Sequence, residues 1–217
     1  VRKPIVKRPR QVIEYATVPR LWPGSTVVCL ASGPSLNQAD VDACRGVPVV
    51  AIKDSIRMAP WAPVLYACDA KWWRAHPETI AYTGLKYGLD LALPSFRPDV
   101  QILHNTGDTG LELAPDSLKN GLNSGYQAIN LAVHLGASRI VLVGYDMAPS
   151  QKGAHHWFGH HSYTNAAPPH NKVMERFETI HEPLRRAGVT VLNATAGSCL
   201  RGFPMVSLDE ALPGVAA

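Results

Sequence analysis

The sequence predicts an α/β fold, a single Rossmann-like, doubly wound domain around a mostly parallel sheet. Three observations predict it. Short apolar runs alternate with helix-like segments, the order in which parallel strands and their covering helices follow one another. The strongest runs, 25–32 and 138–147, are nearly continuous in apolar residues, as strands covered on both faces must be. Polar or small residues then collect where these runs end, the edge at which open parallel sheets bind ligands.

The elements follow in order. Residues 1–20 read as a basic arm, with Arg2, Lys3, Lys7, Arg8 and Arg10 lacking acidic neighbours, ahead of one domain over 21–217. "STVVCLAS" (25–32) is the first strand. "SLNQADVDAC" is a short helix, with Ser35 in the N-cap position and Pro34 just before it. Strands over 47–54 and 63–69 end in Asp54 and Asp69, and "AKWWRAHPE" reads as a helix. "YGLDLAL" (87–93) and "DVQILHN" (99–105) are weaker strands, and 106–123 is a polar, glycine-bearing loop. Ala128, Ile129, Leu131, Ala132 and Leu135 give the next segment a helical face that Gly136 terminates. After the strand at 138–147 and a histidine-rich loop, 170–188 reads as one amphipathic helix. A last strand (189–195) and a short "SLDEAL" turn close the domain.

Composition narrows the classes. A chain of 217 residues with 46% apolar content can build one full core. No apolar run approaches the roughly 18 residues of a membrane span, and the basic N-terminus lacks the apolar stretch of a secretory signal. The four cysteines are far apart with no CxxC pair. A disulfide framework or zinc ribbon is therefore not expected, and the cytoplasm is the default compartment. The net charge of +4 sits largely in the arm, which is either a phosphate-neutralising segment or a solvated tail. The remainder is close to neutral, so no DNA-coating surface is indicated.

Two glycine-bearing helix entries carry the first functional expectation. In "ASGPSL", Ser32, Gly33, Pro34 and Ser35 lie where a strand runs into a helix. Glycine lets backbone approach an anion, and free N–H groups with the helix dipole favour negative charge there. Asn123, Ser124 and Gly125 repeat the arrangement before a second helix. Simple capping explains each entry equally well. Neither GxGxxG nor a Walker P-loop occurs.

"HHWFGHH" (155–161) carries the second expectation. A histidine near neutral pKa can accept a proton from an attacking hydroxyl, which makes His156, His160 and His161 candidate bases. They are alternatively polar loop residues packed by Trp157 and Phe158. In a third reading, His156 and His160 share the i, i+4 spacing of metal ligands, completed by Asp146 or His170. Of the adjacent Trp72 and Trp73, one is free on a helix to stack on a base or sugar beside Asp69, although both can equally belong to the core.

"ASGPSL", "NSGYQAINLAVHLGASRIVLVGYDM" and "HWFGHHSYTN", in this order, resemble the bacterial lipooligosaccharide sialyltransferases. The first motif and the Gly-Tyr-Asp step are similar to the larger hydroxymethylpterin pyrophosphokinase-like family, and the sequence also resembles proteins carried by phages and prophages. The resemblance spans about residues 25–210. It implies a transferase that binds a cytidine nucleotide sugar without an essential metal or other cofactor. By position, Gly33, Pro34 and Ser35 match the phosphate- and ribose-side loop, and Ser124 and Gly125 match the nucleotide-contacting step. Gly144 and Asp146 match the family's Gly-Ile-Asp, and His160 matches its general base. Ser32 stands where the family has asparagine, and Lys53 with Asp54 stands where another asparagine ends the second strand. The two tyrosines that steady the leaving phosphate are absent from "APSQKGA", so Lys152 or a histidine must serve instead.

The expected activity is glycosyl transfer to a hydroxyl acceptor, a glycan or a modified nucleic-acid base, with self-association left open. The rivals are a pyrophosphokinase in which Asp54, Asp69 and Asp146 hold Mg²⁺, and a non-catalytic nucleotide-binding protein of phage type.

Overall fold

The protein is described by a computed structural model that covers residues 13–90, 97–161, 163 and 169–212. The arginines and lysines of residues 1–10, the end of the 87–93 strand and part of the histidine motif (162, 164 and 165) lie outside the described residues.

Among the described residues, eight parallel strands form one sheet. They are β1 (Thr26–Leu30), β2 (Val49–Ile52), β3 (Val64–Tyr66), β4 (Leu85–Leu89), β5 (Gln101–Asn105), β6 (Ser117–Leu118), β7 (Arg139–Val143) and β8 (Thr190–Asn193). Their spatial order is β6-β5-β4-β3-β2-β1-β7-β8, and every pair is parallel. The chain winds outward from β1 through β6, then returns to build β7 on the other side of β1. The switch in winding direction therefore falls between β1 and β7.

The helices are α1 (Gln38–Ala43), α2 (Ala70–Ala75), α3 (Ser124–His134), α4 (His170–Glu178), α5 (His181–Arg186) and α6 (Leu208–Ala211). They cover both sheet faces, and the alternation of the strands divides the core accordingly. Val27 and Cys29 of β1 join the layer under α3 and α4, with Ile129, Leu131 and Phe177. Val28 and Leu30 join the opposite layer with Val41 of α1 and Trp72 of α2. Strands buried from both sides require apolar residues at consecutive positions, and β1, β2 and β7 supply them. No helix among the described residues is long and apolar enough to cross a membrane.

Several local expectations differ from the structure. Asn37, not Ser35, caps α1 by accepting a hydrogen bond from the Asp40 amide, and the Ser35 hydroxyl is turned elsewhere. The helix expected over 170–188 is two helices. Pro183 has no N–H to give the Thr179 carbonyl four residues back and its ring crowds it, so the chain breaks at Thr179, whose hydroxyl donates to the Arg176 carbonyl. Short 3-10 turns occupy Lys53–Arg57 and Pro77–Ala81, and β6 lies inside the expected 106–123 loop, too short for a periodic pattern. Part of the expected arm also packs on the domain: the Ala16 and Val18 amides donate to the Ile102 and Pro115 carbonyls, and Val18 is buried.

The 106–123 segment delivers the chain to the start of α3, and Asn130 holds it there. The fully buried Asn130 side chain accepts from the Glu112 and Lys119 amides and donates to the Glu112 carbonyl. Asn130→Ala strands these backbone groups in a half-buried setting. It should destabilise the protein by about 1–3 kcal/mol in urea unfolding, only partly offset by the higher helix propensity of Ala.

Candidate active site

At the switch point, the pairing of β1 with β7 continues past the strand ends. The Ala31 amide donates to the Val143 carbonyl at 2.8 Å and the Gly33 amide to the Gly144 carbonyl at 2.9 Å. Gly144 makes its turn at φ 74°, a conformation that glycine adopts without steric cost. A Cβ on Gly33 would collide with the Gly144 carbonyl and the Asp146 carboxylate. Glycine is therefore needed at position 33 for the close approach of two loops. The Asp146 carboxylate then accepts from the Ser35 amide (2.9 Å) and hydroxyl (3.0 Å). The donors expected to face an anion at Ser35 are thus spent on Asp146, whose carboxyl is pushed above its usual range because burial outweighs those bonds.

The cleft above this floor has two adjoining lobes. Ser32, Gly33, Pro34, Asn123, Ser124, Gly125, Gly144, Asp146, His156 and His161 all line the first, together with Lys53, Met147, His155 and His170. The second shares Lys53, Asn123, Ser124, His156, His161 and His170, and adds Cys68, Asp69, Lys71 and Tyr163. Sequence-distant motifs therefore meet at one place, and three expected residues lie off it. Ser35 bonds Asp146 from the loop. Asp54 is buried behind the histidines. His160 is exposed, its ring 6.2 Å from that of His155. Lys152 is also exposed and lines neither lobe.

The histidine loop is fastened to the β1 loop. The Trp157 amide donates to the Ser32 carbonyl, and Ser32 Oγ lies 3.3 Å from His156 Nδ1. The rings of His156 and His161 are 4.5 Å apart, and His156 stacks on Phe158. Burial first, then positive or imidazole neighbours that include Lys53, brings both histidines down to about 4. Both are neutral at pH 7.

Behind His161, Asp54 Oδ2 lies 3.5 Å from its Nδ1. Asp54 is 2% exposed and accepts from Trp72 Nε1 at 2.8 Å, with His76 Nε2 at 3.1 Å. Despite desolvation, these partners hold its carboxyl below the ordinary range. Trp72 and Trp73 are both fully buried, and the Trp73 indole donates to the Ala67 carbonyl. The expectation that one of them is free to stack on a ligand is therefore corrected: adjacent indoles fill the core on one side of the sheet, and their N–H groups are already used.

Asn123 caps α3 by accepting from the Gly125 and Tyr126 amides, so these N–H groups are engaged as capping predicts. The Ser124 hydroxyl sits 3.2 Å from Cys68 Sγ. Sequence reasoning passed over Cys68, His155 and Tyr163 as site residues and met Lys53 only as a departure from a motif. A charged residue ending the apolar run "VVAI" was the available signal. Among the described residues, no three His, Cys, Asp or Glu side chains are grouped as metal ligands.

Backbone strain marks the same place. Lys53 (φ 54°), Leu122 (φ 58°) and Met147 (φ 53°) are the non-glycine residues with positive φ among those described, and all three line the cleft. Such conformations persist only where the surrounding structure imposes them, and they gather at functional sites.

No protein-family model matches the chain, and no curated protein matches it.

The depressed histidines fix the sign of the acid response. His156 and His161 titrate near 6.5 when unfolded and near 4 when folded. The unfolded chain thus binds more protons between these values, and stability falls as pH drops from 6.5 towards 4. His134 and His170, also lowered by burial, act in the same direction, and His76, raised by Asp54, opposes them. The double variant His156→Gln/His161→Gln should show a shallower loss of Tm across this window than the native protein, read by thermal melts at stepped pH.

Proposed function

We propose that the protein is a transferase that moves a sugar from a nucleotide donor to a hydroxyl acceptor, with His161 as the general base. The observation that carries this reading is the pair of neutral imidazoles, His156 and His161, on the wall shared by two lobes at the switch point. In this proposal the donor occupies one lobe and the acceptor the other, with a base on the wall that both share.

The geometry of the cleft wall supports the following roles. With Asp54 beside Nδ1, the tautomer protonated at Nδ1 is favoured and the Nε2 lone pair is left for the acceptor. His161 takes the hydroxyl proton as the acceptor oxygen bonds to the anomeric carbon. The bond from that carbon to the phosphate oxygen breaks, and the nucleotide departs with the electron pair. Asp54 acts through His161, as a group that orients the ring and stabilises its protonated form, and Trp72 and His76 orient Asp54 in turn.

The base role moves from His160 to His161 in this proposal because His160 is exposed and outside both lobes. The sugar as the group transferred, cytidine as the base of its donor, independence from metal, a phage setting and a glycan or nucleic-acid acceptor rest on the motif resemblance alone. Against the magnesium-dependent pyrophosphokinase, Asp54, Asp69 and Asp146 each have a protein partner of their own, respectively Trp72 with His76, Lys53, and Ser35.

Calorimetry with cytidine nucleotides, with and without chelator, followed by transfer assays, tests the reading. His161→Ala should lower turnover by about 10²–10⁴-fold with donor affinity nearly unchanged. His160→Ala should stay near native. The acid limb of the native pH–rate profile should fall near pH 4, where His161 protonates, rather than near 6.5. Loss of turnover at His160 alone, or donor binding that disappears with chelator, would overturn the assignment.

A further inference from the structure

We propose that Lys53 is the anion anchor of the cleft, and that Asp69 is its resident counter-ion, displaced when a phosphate-bearing ligand enters. The transferase reading supplies only the nucleotide part of that ligand. The anion chemistry stands on the following geometry.

Lys53 directly follows β2, lines both lobes and holds a left-handed backbone conformation at φ 54°. Among the described residues lining the first lobe it is the one ammonium or guanidinium group. Its side chain is only 18% exposed, and its Nζ donates to Asp69 Oδ2. The two partners differ in freedom. The Asp69 side chain is 46% exposed and, although it precedes α2, makes no capping bond to that helix. A carboxylate so placed can turn into water while the lysine stays. An ordinary structural ion pair has no need of a strained lysine between two lobes, whereas an anchor must point its ammonium into the cleft.

The surroundings favour phosphate. His156 and His161 are neutral at pH 7, so they neither compete with Lys53 for an anion nor repel it. Ser32 and Ser124 line the same lobe, with their hydroxyls against His156 Nδ1 and Cys68 Sγ. The Ser35 donors, the other obvious anion binders of the loop, are held by Asp146. In the first lobe that leaves Lys53 to supply the charge-assisted contact to a phosphate oxygen, and the exposed Lys71 lines the second lobe alone.

The test uses inorganic pyrophosphate as probe, by calorimetry and thermal melts on the full chain. Lys53→Met should weaken pyrophosphate binding by about tenfold or more. Asp69→Asn should tighten it several-fold, since no carboxylate remains to be displaced. In a Lys53→Met background, Asp69→Asn should change nothing, which ties the gain to Lys53 rather than to the general field. Lys53→Gly, which relieves the backbone conformation, should lose the anion as Lys53→Met does. If Asp69→Asn weakens binding as Lys53→Met does, the pair is structural and the proposal is wrong. No pyrophosphate binding by the native protein, or tightening by Asp69→Asn that persists without Lys53, would equally overturn it.

A cytidine nucleotide run through the same variants separates the two proposals. Lys53-dependent pyrophosphate binding with no added affinity for the nucleotide would sink the nucleotide reading and keep the anchor. Equal nucleotide binding by native protein and Lys53→Met would sink the anchor and keep the nucleotide.

Discussion

The continuation of β1–β7 pairing beyond the ends of the strands is the contact on which the cleft depends. At a switch in winding direction, two neighbouring strands send their following loops to opposite faces, and a gap opens between them. Here the Gly33–Gly144 hydrogen bond and the Ser35–Asp146 bonds bind the two departing loops together and turn that gap into a floor. Every other part of the site is placed against it. The histidine loop hangs from Ser32, the α3 entry forms the far wall, and the Cys199 amide is drawn to the Asp146 carbonyl.

The polar groups of the site are arranged in layers. Trp72 fills the core with its ring and spends its N–H on Asp54, and Asp54 in turn stands behind His161. A buried carboxylate is tolerated only when such partners replace the water it has lost. Lys53 and Asp69 balance charge on the cleft side of this wall, and the histidines between them remain uncharged. Neutral imidazoles thus share the cleft wall with the Lys53 ammonium and the half-exposed Asp69 carboxylate. The strained backbone at Lys53, Leu122 and Met147 accompanies it.

Folding and site geometry are linked by the same residues. Asn130 satisfies loop amides from inside α3 and thereby sets where Asn123 and Ser124 enter the cleft. Gly33 and Gly144 permit a close backbone approach that a side chain would forbid. A change at any of these positions would act on the cleft through its frame.

By itself, the sequence determined the class of fold, the main strands and the motifs that meet. Local rules reach these features: consecutive apolar residues for strands covered twice, a 3.6-residue face for α3, and glycine-bearing steps at strand ends. Through the same motifs, Ser32, Gly33, Ser124, Asp146 and His161 were all named in advance. Tertiary structure alone decided how they are used. Ser35 looked like a cap or an anion donor, but which acceptor a hydroxyl finds depends on a carboxylate 111 residues away. The motif resemblance pointed to His160 and the cleft takes His161, because which of two adjacent imidazoles enters a cleft is set by the turn of a loop docked on Ser32. The fate of Trp72 and the role of Lys53 were hidden for the same reason. Burial and ion pairing are properties of what the rest of the chain brings alongside, and no local pattern encodes them.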